Sequence, residues 1–104
     1  MRIQYEDTLF YVSLSSSLEK HLIKQRIKKS IGYFIGKPYQ KDPYLSFAES
    51  ILNSLESPLV VDIGANIGTT VLPLANKFPK GRFIAVEAHP TPAARFIQNC
   101  QANQ

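Results

Sequence analysis

A chain of 104 residues with 44% hydrophobic side chains can build one core and is too short for two. Twelve basic against eight acidic residues leave a net charge of +4, a mild excess that permits an anionic partner and does not predict nucleic acid binding. A single cysteine, Cys100, excludes an internal disulfide, and with no Cys/His cluster of metal-binding spacing the expected setting is a reducing, cytoplasmic one.

The opening "RIQYEDTLFYVSLS" alternates apolar and polar residues around Glu6-Asp7 and predicts a β-hairpin. No signal peptide is expected there, because the two acids interrupt its apolar core. "SLEKHLIKQRIKKSIG" predicts a basic amphipathic helix, with Ser17 as cap, Gly32 as stop and Leu18, Leu22, Ile23, Ile27 and Ile31 on the apolar side. "GKPYQKDPY" reads as a loop. From Asp42 to Glu56 a second helix is expected, with a Ser46/Glu49 capping box and Ala48, Ile51, Leu52 and Leu55 on one face. "PLVVDIG" and "RFIAVE" are continuous apolar runs of the kind found in parallel strands buried on both faces. Between them "NIGTTVLPLANKF" predicts a helix, kinked or delayed by Pro73 and closed by Pro79 and Gly81. "TPAARFIQNCQANQ" predicts the last helix, with Thr91 as cap, Pro92 at its first position and Ala93, Phe96, Ile97 and Cys100 inward. No run approaches the ~18 apolar residues of a membrane span. The fold expected is α/β, with residues 1–41 as an accessory hairpin and helix and residues 42–104 as a β-α-β-α unit.

Two of the five glycines, Gly64 and Gly68, fall in the turn that leaves the first parallel strand. In open α/β folds that turn lies at the carboxyl edge of the sheet, where ligands bind, and glycine lets a ligand approach the main chain. Glu87 ends the second strand, where a carboxylate can accept hydrogen bonds from ribose hydroxyls. The pair points to a nucleoside-containing cofactor. A dinucleotide site takes G-x-G-x-x-G, whereas this chain has D-x-G-x-N-x-G, with Asp62 placing negative charge where a pyrophosphate would be repelled. A cationic or zwitterionic cofactor fits better, and S-adenosylmethionine offers both an ammonium group and a ribose.

"VVDIGANIG" followed by "FIAVEAHPTPAARFIQNCQAN" resembles the first two motifs of class I S-adenosylmethionine-dependent methyltransferases. The resemblance is closest to the FkbM type, which carries a D-x-G-A-N-x-G turn, a Glu-x-x-Pro strand end and a helix ending in spaced asparagines, matched here by Asn99 and Asn103. It spans about residues 42 to 104, with Ala88 in place of a frequent proline. It implies a Rossmann-like fold, S-adenosylmethionine as cofactor, Asp62, Gly64, Ala65, Asn66 and Gly68 around its aminoacyl part, and Glu87 on its ribose. It further implies methyl transfer to a hydroxyl of a small-molecule or sugar-like acceptor. The family's sheet has seven strands and this sequence contains two of its βα units. The chain is therefore expected to be an N-terminal piece, with the catalytic base beyond residue 104.

His89 has no identifiable partner acid and reads as a loop residue beside the site, and Cys100 reads as packing. The basic helix is expected to lay its apolar stripe on its own domain and keep its lysines in water. A reading from another class is a non-catalytic, truncated Rossmann-like module stabilised by pairing with another chain. Self-association is expected of the truncated chain, since one edge of Val60 to Ile63 is left without a partner strand; the alternative is a compact monomer in which the N-terminal hairpin covers that edge.

Overall fold

Residues 1–14, 16–36 and 40–104 are described by a computed structural model; Ser15 and the centre of the expected loop, residues 37–39, lie outside the described residues. Arg2–Tyr5 (β1) and Thr8–Tyr11 (β2) pair antiparallel, with Ile3 opposite Phe10. Glu6 and Asp7 between them are left-handed, at φ 48° and 59°, the backbone that a two-residue primed turn requires. Alternation along the hairpin buries Ile3, Thr8 and Phe10, and Val12 continues that buried side.

Ser17–Phe34 forms α1. Its cap is Ser16, one residue before the expected Ser17, and the Ser16 hydroxyl accepts the Glu19 N–H at 3.2 Å. The helix runs through Gly32, because an interior glycine costs only about 1 kcal/mol against alanine. It stops at the next glycine, Gly36, which follows the C-cap Ile35 and is left-handed at φ 69°. Leu22 is buried, while Ile27 and Ile31 remain exposed, so only the first half of the apolar stripe meets the core.

Pro43–Leu52 forms α2. Asp42 caps it by accepting the Tyr44 N–H, with Pro43 at the first position, where its missing donor costs nothing. The expected Ser46/Glu49 box is not the cap: Glu49 is buried and accepts from Lys41 and Lys77, the latter at 2.6 Å. Burial, which pushes the Glu49 carboxyl up, is outweighed by these two ammonium groups, and its pKa is lowered. The helix ends at Leu52 instead of Glu56, and Leu45 and Leu52 point inward while Ile51 and Leu55 do not.

Leu59–Ile63 (β3) and Arg82–Val86 (β4) pair in parallel, Val61 beside Ile84 and Ile63 beside Val86. They are joined through Val71–Lys77 (α3). That helix starts five residues later than expected, since residues 66–70 are spent on a turn and Pro73 needs a place among the first amides, which lack helical partners in any case. Pro90–Ala102 (α4) starts just ahead of the expected Thr91, with His89 at the cap position but no side-chain bond.

The expectation of strands buried on both faces is corrected. Val60, Phe83 and Ala85 pack against the helical side, whereas Leu59, Val61, Ile63, Ile84 and Val86 are all about half exposed or more, Ile63 at 81%. Hydrophobic patterning records what a face could bury, and here only one face has elements packed on it. The main core joins Ile3, Phe10, Val12 and Leu22 to Ala65, Ile67, Val71 and Leu72, and a smaller one gathers Leu45, Leu52 and Leu74. The described residues form a compact α/β structure of two small two-stranded sheets and four helices.

Candidate functional site

The turn after β3 places three left-handed residues in five: Gly64 at φ 81°, Asn66 at 51° and Gly68 at 93°. Only glycine, and less often asparagine, adopts this backbone routinely. Four amides of the turn are spent within the protein. Gly64 and Ala65 both donate to Val86 O, at 2.8 and 3.0 Å, and Gly68 donates to Ala65 O at 2.8 Å. Asn66 donates to Glu87 Oε2 at 2.8 Å.

The two glycines do different work. A Cβ at Gly64 would meet nothing within 4 Å, so that side of the turn is open to a ligand. At Gly68 a Cβ would lie 2.6 Å from the Phe96 ring and 2.7 Å from Leu72. Glycine there lets α4 and α3 close onto the turn. Ala65 is buried in the main core, and its side chain anchors the turn from beneath.

Glu87, just past β4, has each carboxylate oxygen fixed by a main-chain donor: Oε1 accepts from His89 N–H at 2.8 Å and Oε2 from Asn66 N–H. These amides, His89 first, hold its pKa below the ordinary 4.5, so it is an ionised acceptor with lone pairs left over. Asp62, on β3, is half-buried, and its Oδ2 is buried with no hydrogen-bond partner. Burial pushes its carboxyl up from 3.8.

Asn66, Ile67, Glu87 and His89 line a cavity of about 370 Å³ together with the start of α1 at Ser16–Glu19 and with Thr91, Pro92 and Arg95 of α4. A larger cavity of about 690 Å³ lies between α1 and residues 40–43 and contains none of the turn or strand-end residues. The structure thus brings Asn66 and Glu87 to one cavity wall, with Gly64 exposed beside them and Ala65, Gly68 and Asp62 shaping the turn from behind. Cys100 packs against the main core, and burial raises its thiol pKa.

Two further residues contribute: Glu19, not singled out from the sequence, and Asn99, singled out there only through the family resemblance. Glu19 lines the cavity, is bonded by the Ser13 hydroxyl at 2.6 Å, and pairs with Arg95 at 3.4 Å; the Ser16-x-x-Glu19 spacing was its available signal. Asn99 is fully buried beneath the turn and donates to Ile67 O at 2.9 Å; its polar position on an otherwise apolar helix side was the clue. Among the described residues no helix is long and apolar enough to cross a membrane, and no His/Cys/Asp/Glu group could hold a metal. No protein-family model matches the chain, and neither a curated protein nor a solved structure does.

Proposed function

We propose that this chain is the cofactor-binding part of an S-adenosylmethionine-dependent methyltransferase of the FkbM type, built on a Rossmann-like fold and acting on a hydroxyl of a small-molecule or sugar-like acceptor. The observation that carries the reading is the locking of Glu87 against Asn66, beside a glycine whose outer side is open. A carboxylate already oriented by two main-chain donors accepts ribose hydroxyls without reorganising. The amides of residues 64, 65 and 66 are all spent inside the protein, so these three do not serve as a nest of donors for a pyrophosphate. The unpartnered Oδ2 of Asp62 adds negative potential under the turn, which favours a positively charged group above it. In this reading Asp62, Gly64, Ala65, Asn66 and Gly68 shape the aminoacyl subsite and Glu87 holds the ribose.

When bound, the cofactor supplies a sulfonium-activated methyl carbon. The chain's own part is positioning, which carries much of an in-line displacement; no residue of it is assigned as the base.

Calorimetric titration with S-adenosylmethionine, and separately with a nicotinamide dinucleotide, tests the proposal. S-adenosylmethionine should bind and the dinucleotide should not. Glu87→Ala should weaken S-adenosylmethionine binding roughly tenfold or more, on the scale of lost hydrogen bonds to a charged group. Absence of binding, or equal affinity for the variant, overturns it.

A second reading, a non-catalytic module that pairs with another chain, draws on the exposed apolar sheet face of Leu59, Val61, Ile63, Ile84 and Val86.

A further inference from the structure

One turn of α4 separates two asparagines, and both turn their carboxamides to β2. Asn103 accepts the Leu9 N–H through Oδ1 at 2.9 Å and donates through Nδ2 to Leu9 O at 2.7 Å. Asn99 accepts the Tyr11 N–H at 2.7 Å. Leu9 and Tyr11 alternate with Thr8 and Phe10, so their main-chain groups lie on the edge of β2 away from β1. A carboxamide offers one acceptor and a pair of donors, which is the hydrogen-bonding pattern of a strand. Helix side chains thereby cover a strand edge that would otherwise be a pairing template.

Asn99 does one thing that Asn103 does not. Its Nδ2 donates to Ile67 O at 2.9 Å, the carbonyl between left-handed Asn66 and left-handed Gly68. Asn99 is 0% exposed and its bond to Ile67 O is buried, so losing that bond strands a main-chain carbonyl where water cannot replace the partner. One buried carboxamide therefore joins the hairpin edge to the arc that carries the Glu87 contact.

We infer that Asn99 is a positioning residue: it holds the Asn66–Gly68 arc in the conformation that the Asn66–Glu87 bond requires, and it makes the N-terminal hairpin part of the support of that site. The role in cofactor binding rests on the methyltransferase reading; the coupling of hairpin to turn does not. Asn103, bonded to Leu9 and to the α4 carbonyl of Asn99, supports the hairpin alone.

The test compares two variants of the full chain. Asn99→Asp keeps an acceptor for Tyr11 and removes the donor to Ile67, and Asn103→Ala releases Leu9 without touching the turn. Amide hydrogen exchange at neutral pH should quicken roughly tenfold or more at Asn66 and Gly68 in Asn99→Asp, and stay within about twofold of wild type there in Asn103→Ala. Mild acidification, to no lower than about pH 5 so that the Glu87 carboxylate bonded to Asn66 stays ionised, should restore protection in Asn99→Asp. The introduced carboxyl, buried and so protonated early, then donates its O–H to Ile67 O; a residue that merely fills space gives no such recovery. S-adenosylmethionine affinity should fall about tenfold in Asn99→Asp and less than about threefold in Asn103→Ala. If wild type binds no S-adenosylmethionine, the cofactor reading fails, and the exchange results alone judge the coupling. Equal turn exchange in the two variants overturns the inference. Should Asn99→Asp not fold, wild-type exchange under rising denaturant decides: Tyr11 and Asn66 must open with one denaturant dependence, and separate openings overturn it.

Discussion

Glu87 Oε2 accepts the Asn66 main-chain N–H at 2.8 Å, so the carboxylate just past β4 and the left-handed residue of the turn after β3 are held as one piece. The bond has a pH signature. The His89 and Asn66 amides favour the ionised carboxylate, placing its pKa in the folded chain below the ordinary 4.5. A depressed pKa means stability that is present above the unfolded value and lost as pH falls through the folded one. Between about pH 5 and pH 3, the thermal midpoint of wild type, followed by far-ultraviolet circular dichroism, should therefore fall more steeply than that of Glu87→Gln. Parallel slopes would show that the two amides do not stabilise the anion.

Asp62 has the opposite sign. Burial raises its pKa above 3.8, so the folded chain holds the proton more tightly than the unfolded one. Its ionisation therefore erodes stability as pH rises through the folded value. Asp62→Asn should melt higher than wild type at pH 7, lose that advantage near pH 3, and bind S-adenosylmethionine more weakly. A variant that is less stable at pH 7 would refute the assignment of a penalised carboxylate at this position.

Alanine at the two turn glycines should give graded losses. At Gly64 the added Cβ meets nothing, and only the left-handed backbone opposes it, at about 1–2 kcal/mol. At Gly68 the same backbone cost is joined by overlap with Phe96 and Leu72, which adds about 1–3 kcal/mol. Urea unfolding should rank wild type above Gly64→Ala above Gly68→Ala. A reversed order would mean that α4 does not close onto the turn at Phe96.

The face of β3 and β4 opposite the helices predicts association. Among the described residues β3 is hydrogen-bonded to β4 on one side only, and Ile63 and Val86 lie exposed beside each other. An unpaired edge flanked by apolar side chains favours pairing with another chain. Light scattering after size exclusion should show a mass above 11.7 kDa that grows with concentration, and Ile63→Lys combined with Val86→Lys should return it to the monomer. A wild-type monomer at every concentration excludes this surface as a contact.

Local patterns in the chain were enough to specify the elements and the turn. The Glu6-Asp7 hairpin, the four helices, the two parallel strands and the D-x-G-x-N-x-G arc all depend on residues within a few positions of one another, through side-chain periodicity and through backbone conformations that glycine and asparagine tolerate. Caps moved where neighbouring side chains compete, by one residue from Ser17 to Ser16 and by four from Ser46 to Asp42. Burial was a different matter. The apolar run Leu59–Ile63 indicates what could be covered on both faces, but coverage depends on which elements dock there, and only the Val60 side is covered. Tertiary structure alone decided that Glu49 would be held between Lys41 and Lys77, that Glu87 would be bonded to the turn, and that Asn99 would bridge Tyr11, 88 positions earlier, to Ile67, 32 positions earlier. A carboxamide on a helix can satisfy any main-chain edge brought within about 3 Å of it, and no local pattern says which edge arrives.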